Sequence, residues 1–255
     1  VNLNFGYGVA SDIKRRFYLI FWNCYKIFVD YAILANWNCE LKRGELTVLD
    51  KWILARLTEL VLLVNEKLEK YDAANASRAI EDFVVNDFST WYIRRSRDRV
   101  GPEAEEVDRN TALSVMYGVL VTLTKLSAPF IPFITEEMYR NLTGDESVHL
   151  QSYPLGDKSL LNDKLGIDME WVRKIVEAGH ANRKEAGIKL QQPLAKFVYY
   201  NYGSPGIGKL DEDLEKIIAD ELNVKKVEYI KSPIDTLKVE LDTKITPELK
   251  EEGDM

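Results

Sequence analysis

The 255 residues are 46% hydrophobic and 29% charged with a formal charge of −7, which is enough apolar content to bury a core as one large or two smaller domains and too much for a disordered chain. Two cysteines, Cys24 and Cys39, and two histidines, His149 and His180, lie too far apart in sequence for a disulfide framework or a zinc cluster and fit a reducing compartment. Apolar runs are broken by charge or asparagine short of a membrane span, so the chain reads as cytoplasmic with no membrane partner.

From Ser11 or Asp12, expected as N-caps, "IKRRFYLIFWNCYKIFVDYAIL" repeats apolar residues at helical spacing. "VLDKWILARLTELVLLVNEKLEKY" does the same after Thr47, a third helix is expected from near Asp72 to "WYIRRSRDR", and a fourth runs after Asp108 until Pro129 and Pro132 interrupt it. "ITEEMYRNL" reads as a short return helix, and strand patterns are absent up to about Leu142. The fold class is therefore mainly α: an antiparallel helix bundle over 1–150, then a small α+β unit. A connecting loop and junction helix, with Gly187 as its C-cap, are expected over 151–196. In 197–255, "KFVYYNY", "VKKVEYI" and "LKVELDT" read as strands around the helix "LDEDLEKIIADEL". The first residue is not Met, and the last, "ITPELKEEGDM", has Thr246 capping a helix begun by Pro247; the sequence reads as a piece of a longer protein with a truncated C-terminal unit.

Net charge is positive over 1–100 and 171–196 and negative over 101–170 and 197–255. A polyanion needs only a local basic face, because screening confines exposed charges to roughly 8 Å in physiological salt. Within "WYIRRSRDR" (Trp91–Arg99), Ile80, Val84, Phe88 and Trp91 form a core-facing stripe whose next step lands on Arg95. Arg95 is thus expected against the core, paired with Glu136 or Glu137, while Arg94 and Arg97 flank the stripe and Arg99 returns toward Arg95. Arginine's planar fork suits phosphate oxygens and Tyr92 is placed to stack on a base or ribose, whereas a solvated helix face explains the same spacing.

Other motifs carry no chemistry. "GYG" (Gly6–Gly8) and "GSPGIG" (Gly203–Gly208) lack the Lys-Ser/Thr of a phosphate loop and read as turns. His149 and His180 have no nucleophile and acid partner nearby, and adjacent Glu136 and Glu137 point about 100° apart on a helix. No metal site, cofactor site or catalytic constellation remains.

The blocks "RRFYLIFWNCYKIFVDYA", "DKWILARL", "WYIRRSRDR", "SAPFIPFITEEMYRNL", "SVHLQSYP", "RKEAGIKLQQPL", "IIADELNVKKVEYI" and "VELDTKITPELKEEG" resemble consecutive segments of isoleucyl-tRNA synthetases, class I enzymes, in an archaeal or eukaryote-like version. Several blocks are shared with the valyl, leucyl and methionyl enzymes. "WYIRRSRDR", "RKEAGIKLQQPL" and "VELDTKITPEL" are the ones most specific to the isoleucyl group.

The resemblance implies an anticodon-binding domain plus part of the C-terminal region, lacking the HIGH and KMSKS signatures. It implies that ATP, with Mg, and isoleucine bind in other domains of the parent, and that the partners here are isoleucine-accepting tRNA and those domains, not DNA. By family position the expected tRNA-binding residues are Arg94, Arg95, Arg97 and Arg99, with Trp91 and Tyr92 shaping the surface, then Arg183, Lys184 and Lys189, and more weakly Trp22, Asn23 and Lys26. Core is the default for Trp91 and Trp22, and Gln191 stands where relatives often carry a basic residue. The alternatives are a helical interaction or bracing module without RNA contact, or the same domain of a sister valyl enzyme.

Overall fold

The computed structural model describes residues 6–202, 208–234, 238–244 and 246–254. It divides into two units, Val1–Leu161 and Asn162–Met255. The expected connector over 151–196 is therefore split. Its first part is tied to the bundle by Tyr153, whose hydroxyl donates to the Leu126 carbonyl at 2.9 Å, and by Asn65, whose amide donates to the Pro154 carbonyl at 3.0 Å. Its helix belongs to the second unit.

The bundle opens with α1 (Tyr7–Leu34), whose 28 residues by length and composition alone are long and apolar enough to cross a membrane, against the expectation that apolar runs stop short. It starts at Gly6 rather than at Ser11 or Asp12, and Asp12 instead pairs inside the helix with Arg15 at 3.2 Å; "GYG" is this helix start, not a turn. Wide π-type turns over Lys14–Tyr18 are followed by a buried stripe of Phe17, Phe21, Cys24, Tyr25 and Phe28. Phe28 meets Trp37 and Tyr117 at ring distances of 5.5 and 6.0 Å.

The next helix, α2 (Val48–Glu69), starts as predicted at Thr47, which forms a reciprocal capping box with Asp50. Asp72 caps α3 (Ala73–Asp82), and the helical path continues in wide turns over Phe83–Ile93 and then a short α4 (Arg97–Val100). Glu105, rather than Asp108, caps α5 (Glu106–Ser127) by accepting from the Asp108 amide at 2.8 Å. A tight turn, in which the Phe130 and Ile131 amides both donate to the Ser127 carbonyl, leads to α6 (Pro132–Thr143). That helix has proline in its first turn and ends at Gly144 with φ +76°, a conformation that favours glycine.

In the second unit α7 (Asp163–Glu185) begins earlier than its apolar pattern announced, because Asn162 accepts from the Leu165 amide at 3.0 Å. Gly187, with φ +68°, lies one residue past the cap Ala186. Strands β1 (Leu194–Tyr202), β2 (Val224–Ile234) and β3 (Val239–Leu241) form a sheet of order β2-β1-β3. β1 and β2 are parallel, joined through α8 (Glu212–Leu222), and β3 is antiparallel to β1. Phe197 and Tyr199 of β1 are buried with Met169, Ile175, Ile218 and Leu222 of the helices. Any side chain at Gly179 of α7 would place its Cβ 2.5 Å from a Leu222 methyl, so glycine sets this close helix approach. As predicted, Thr246 stands before α9 (Pro247–Asp254) and its hydroxyl accepts from the Leu249 amide. His180 faces Glu221 at 4.0 Å, a structural pairing, and "GSPGIG" lies almost wholly outside the described residues.

The two thiols separate cleanly. Cys24 is buried, and burial pushes its pKa up to about 12, against an opposing hydrogen bond from Ser89, whereas Cys39 is exposed. A thiol reagent at pH 8 is expected to react with one thiol per native chain, at Cys39, and with a second only after denaturation; peptide mapping of the modified site checks this.

Candidate nucleic-acid interface

The stripe is buried as its spacing predicted: Ile80, Val84, Phe88 and Trp91 all lie in the core. The helical path breaks at Ser96, which is buried with φ −86° and ψ 0°. Arg94 therefore sits on the last turn before the break and Arg97 on the first after it, and both are exposed. The Nε of Arg94 donates to the Thr90 carbonyl at 3.0 Å, and its guanidinium carbon lies 5.8 Å from the Trp91 ring centroid. Arg95 is half-buried and lies at the same distance from that ring. Trp91 is thus a buried indole that supports two cations. Glu136 is engaged by the Val148 amide and the Ser147 hydroxyl, at 2.9 and 3.0 Å, and Glu137 by the Asn141 amide.

Two members expected at this surface are turned inward. The Tyr92 ring is fully buried, not available for stacking, and its hydroxyl donates to Asp50 Oδ1 at 2.6 Å. Arg99 donates from Nη1 and Nη2 to the two Asp50 oxygens, both at 2.9 Å, and from Nη2 and Nε to Asp108, at 2.7 Å and about 3 Å. Burial opposes charge on both partners. The hydrogen bonds to Asp108 and Asp50 nevertheless hold the Arg99 pKa above its ordinary value, and Arg99, Tyr92 and Thr47 hold the Asp50 carboxyl below its own. Arg99 is therefore a structural tie among α2, α4 and α5, because two carboxylates consume its fork. The sequence signal that would have found this is the capping box itself: it places Asp50 at a helix N-terminus with one oxygen to spare.

The second basic segment divides in the same way. Arg183 is 2% exposed, and its donors reach the carbonyls of Leu222, Asn223, Lys189 and Gln192 at 2.6–3.0 Å. Burial lowers its pKa from the ordinary value. It stitches the α7 end, the turn before β1 and the α8 end together, and its expected place at an RNA surface is corrected by that burial. Lys184 and Lys189 are exposed. Lys174, which spacing reasoning passed over, stands 4.7 Å above the Trp171 ring; the Trp-x-x-Lys spacing is its only sequence sign. Trp22, for which core was the default, is 37% exposed and its ring lies 5.1 Å from Tyr25, Asn23 is exposed, and Lys26 is paired with Asp30. Among the described residues no group of three or more His, Cys, Asp or Glu is placed to hold a metal ion.

The surface thus offers Arg94 and Arg97 in one unit and Lys184 and Lys189 in the other, each exposed beside aromatic or helical support. A family model described as the anticodon-binding domain of tRNA ligase matches residues 50–199. The chain belongs to that family. Among curated relatives of this anticodon-binding domain, the isoleucine–tRNA ligase of Dehalococcoides mccartyi (strain CBDB1) is 37% identical over 98% of the chain and 26% of its own length. The isoleucine–tRNA ligase of Pyrococcus furiosus is 37% identical over 89% of the chain and 22% of its own length, and that of Thermus thermophilus is 35% identical over the same shares. The chain spans about a quarter of the length of the curated relatives it matches.

Proposed function

We propose that this anticodon-binding domain grips the anticodon stem-loop of isoleucine tRNA for a ligase that attaches isoleucine to tRNA with ATP, whose ATP, Mg and isoleucine sites lie in other parts of that enzyme. The observation that carries the reading is the pair Arg94 and Arg97, exposed on either side of the Ser96 break within the residues matched by the family model. Guanidinium groups held at a helix break present their forks to phosphate oxygens, while sequence discrimination would fall to stacking and hydrogen bonding with unpaired bases. Lys184 and Lys189 are the next contacts proposed, acting as point charges on the backbone. Isoleucine rather than valine tRNA is favoured by the relatives, whose names are those of isoleucine–tRNA ligases.

Titrating the chain with isoleucine tRNA and with an anticodon-changed control, at two salt concentrations, tests this. Tight, salt-sensitive binding that prefers the isoleucine tRNA is expected. Arg94→Ala with Arg97→Ala should weaken it about 10- to 100-fold and reduce the slope of log K against log salt by roughly 0.7–0.9 per arginine, with helicity unchanged. A folded double variant that binds both RNAs as wild type does overturns the assignment. The rival bracing role is supported by one observation, the exposed apolar residues Tyr7, Val9, Ile13, Leu19 and Trp22 of α1.

A further inference from the structure

The turn that closes α1 holds an asparagine where glycine is the easier residue. Asn36 has φ +47°. Its backbone amide donates to the Ile33 carbonyl at 3.1 Å and that of Trp37 to the Ala32 carbonyl at 2.8 Å, the pattern of a left-handed helix cap that usually takes glycine. The other asparagine with this backbone, Asn223 at φ +46°, uses its side chain internally, donating to the Leu190 and Gln191 carbonyls at 2.9 and 3.1 Å. The Asn36 side chain is exposed and has no hydrogen-bond partner among the described residues. A strained backbone position filled by a residue whose amide the fold leaves unused points to a use outside the fold.

The surroundings of Asn36 define what it reads. Trp37 is half-buried, its ring held by Phe28 and Tyr117 at centroid distances of 5.5 and 5.3 Å, and Ile33 and Leu34 before it are 71% and 60% exposed. Flat apolar surface next to a free amide suits an unpaired nucleobase, which stacks on the one and hydrogen-bonds with the other. Asn38 has its Oδ1 occupied by the Glu40 amide at 2.9 Å, so Asn36 is the residue with both a donor and an acceptor to offer, the pair that matches adenine. The loop that follows carries Glu40 and Glu45 against Lys42 and Arg43, all exposed; its charges cancel, which favours a base over a phosphate. It runs along α5, where the Thr111 hydroxyl accepts from the Gly44 amide at 2.8 Å, to Thr47 beside Arg99. Tyr117 stands nine residues along α5 from Asp108, the partner of Arg99, which is about 13 Å, or about four steps of a stacked nucleic-acid strand. We propose that Asn36 is a specificity-determining residue for tRNA, reading an unpaired adenine of the anticodon loop that stacks at Trp37. The proposal rests on the anticodon-binding function above and adds a base contact to the phosphate contacts of Arg94 and Arg97.

Asn36→Gly tests this, because glycine keeps the backbone and removes only the amide. The thermal midpoint of the chain should be unchanged or raised, whereas affinity for isoleucine tRNA should fall about 10-fold with the slope of log K against log salt unchanged. Isoleucine tRNAs in which each anticodon-loop adenine in turn is replaced by guanine should lose a similar factor at one position with wild type and nothing there with Asn36→Gly. Cys39, in the same turn and exposed, should also react with maleimide about tenfold more slowly when isoleucine tRNA is present at about ten times its Kd. Full affinity and undiminished adenine preference in Asn36→Gly overturn the proposal while leaving the grip by Arg94 and Arg97 intact, and so does unchanged Cys39 labelling in the bound chain. A loss in Asn36→Gly that is equal for every substituted RNA also overturns it, because the amide would then not read a base. Absence of tRNA binding by the folded wild-type chain overturns the anticodon-binding function and this proposal together.

Discussion

Arg99→Ala is expected to destabilise the helical unit by about 3–5 kcal/mol, the cost of leaving a buried carboxylate without its cation. Asp50 is fully buried, and of its partners only Tyr92 and Thr47 would remain, neither bearing positive charge. Arg99→Lys keeps the charge but loses the fork that reaches both Asp50 oxygens and Asp108, so its loss should be intermediate. Urea denaturation of the three proteins at pH 7 checks the order; an Arg99→Ala midpoint equal to wild type would show that the network contributes nothing. The pH dependence has a defined sign. The Asp50 carboxyl is held below its ordinary value of 3.8, because its charged form is favoured in the fold. Its contribution is therefore complete above that value and is lost as the pH falls through the lower folded value. Without Arg99, burial is left to raise the Asp50 pKa in the variant, so the gap between wild type and Arg99→Ala should be widest near neutral pH and narrow as the pH falls and the variant's carboxyl takes up a proton, before wild type loses its own contribution.

Arg183→Met should cost the second unit about 3 kcal/mol or more. It keeps much of the side-chain volume but removes the donors to the Leu222 and Gln192 carbonyls and leaves those of Lys189 and Asn223 with only the Gln192 and Leu194 amides, and an unsatisfied buried acceptor typically costs about 1–3 kcal/mol. Thermal unfolding followed by circular dichroism measures this. The same experiment separates Arg183 from its neighbours, since Lys184→Ala and Lys189→Ala alter exposed side chains and are expected to change stability by less than about 0.5 kcal/mol. If Arg183→Met weakens tRNA binding only in proportion to the unfolded fraction, its role is architectural; a fully folded variant with reduced affinity would return Arg183 to the RNA surface.

Much of the fold was legible because it depends on local chemistry. The helix start at Thr47, the stripe from Ile80 to Trp91, the proline interruption after α5, Gly187 past the end of α7 and the three strand patterns each announce themselves through a few residues whose backbone needs or spacing are specific. Helix starts were less legible. Ser11 and Asp12 carry the right side chains for an N-cap, yet the helix begins at Gly6, so both lie inside it and Asp12 pairs with Arg15. Asp108 likewise gives up its capping role, since Glu105 supplies the cap while Arg99 takes the Asp108 carboxylate.

For the site, the sequence by itself determined that this region carries a cluster of arginines behind a core stripe, that Arg95 borders the core and that Arg94 and Arg97 diverge from it. Only the tertiary structure decided which cations are used internally. Arg99 is drawn in by Asp50, forty-nine residues away, and Arg183 by carbonyls up to forty residues away. Helical spacing predicts the direction of a side chain along its own element, but partners brought in by folding fix whether its charge is spent. That is the physical reason the same residue type, four times in six positions, yields exposed side chains at Arg94 and Arg97 and a half-buried tie at Arg99.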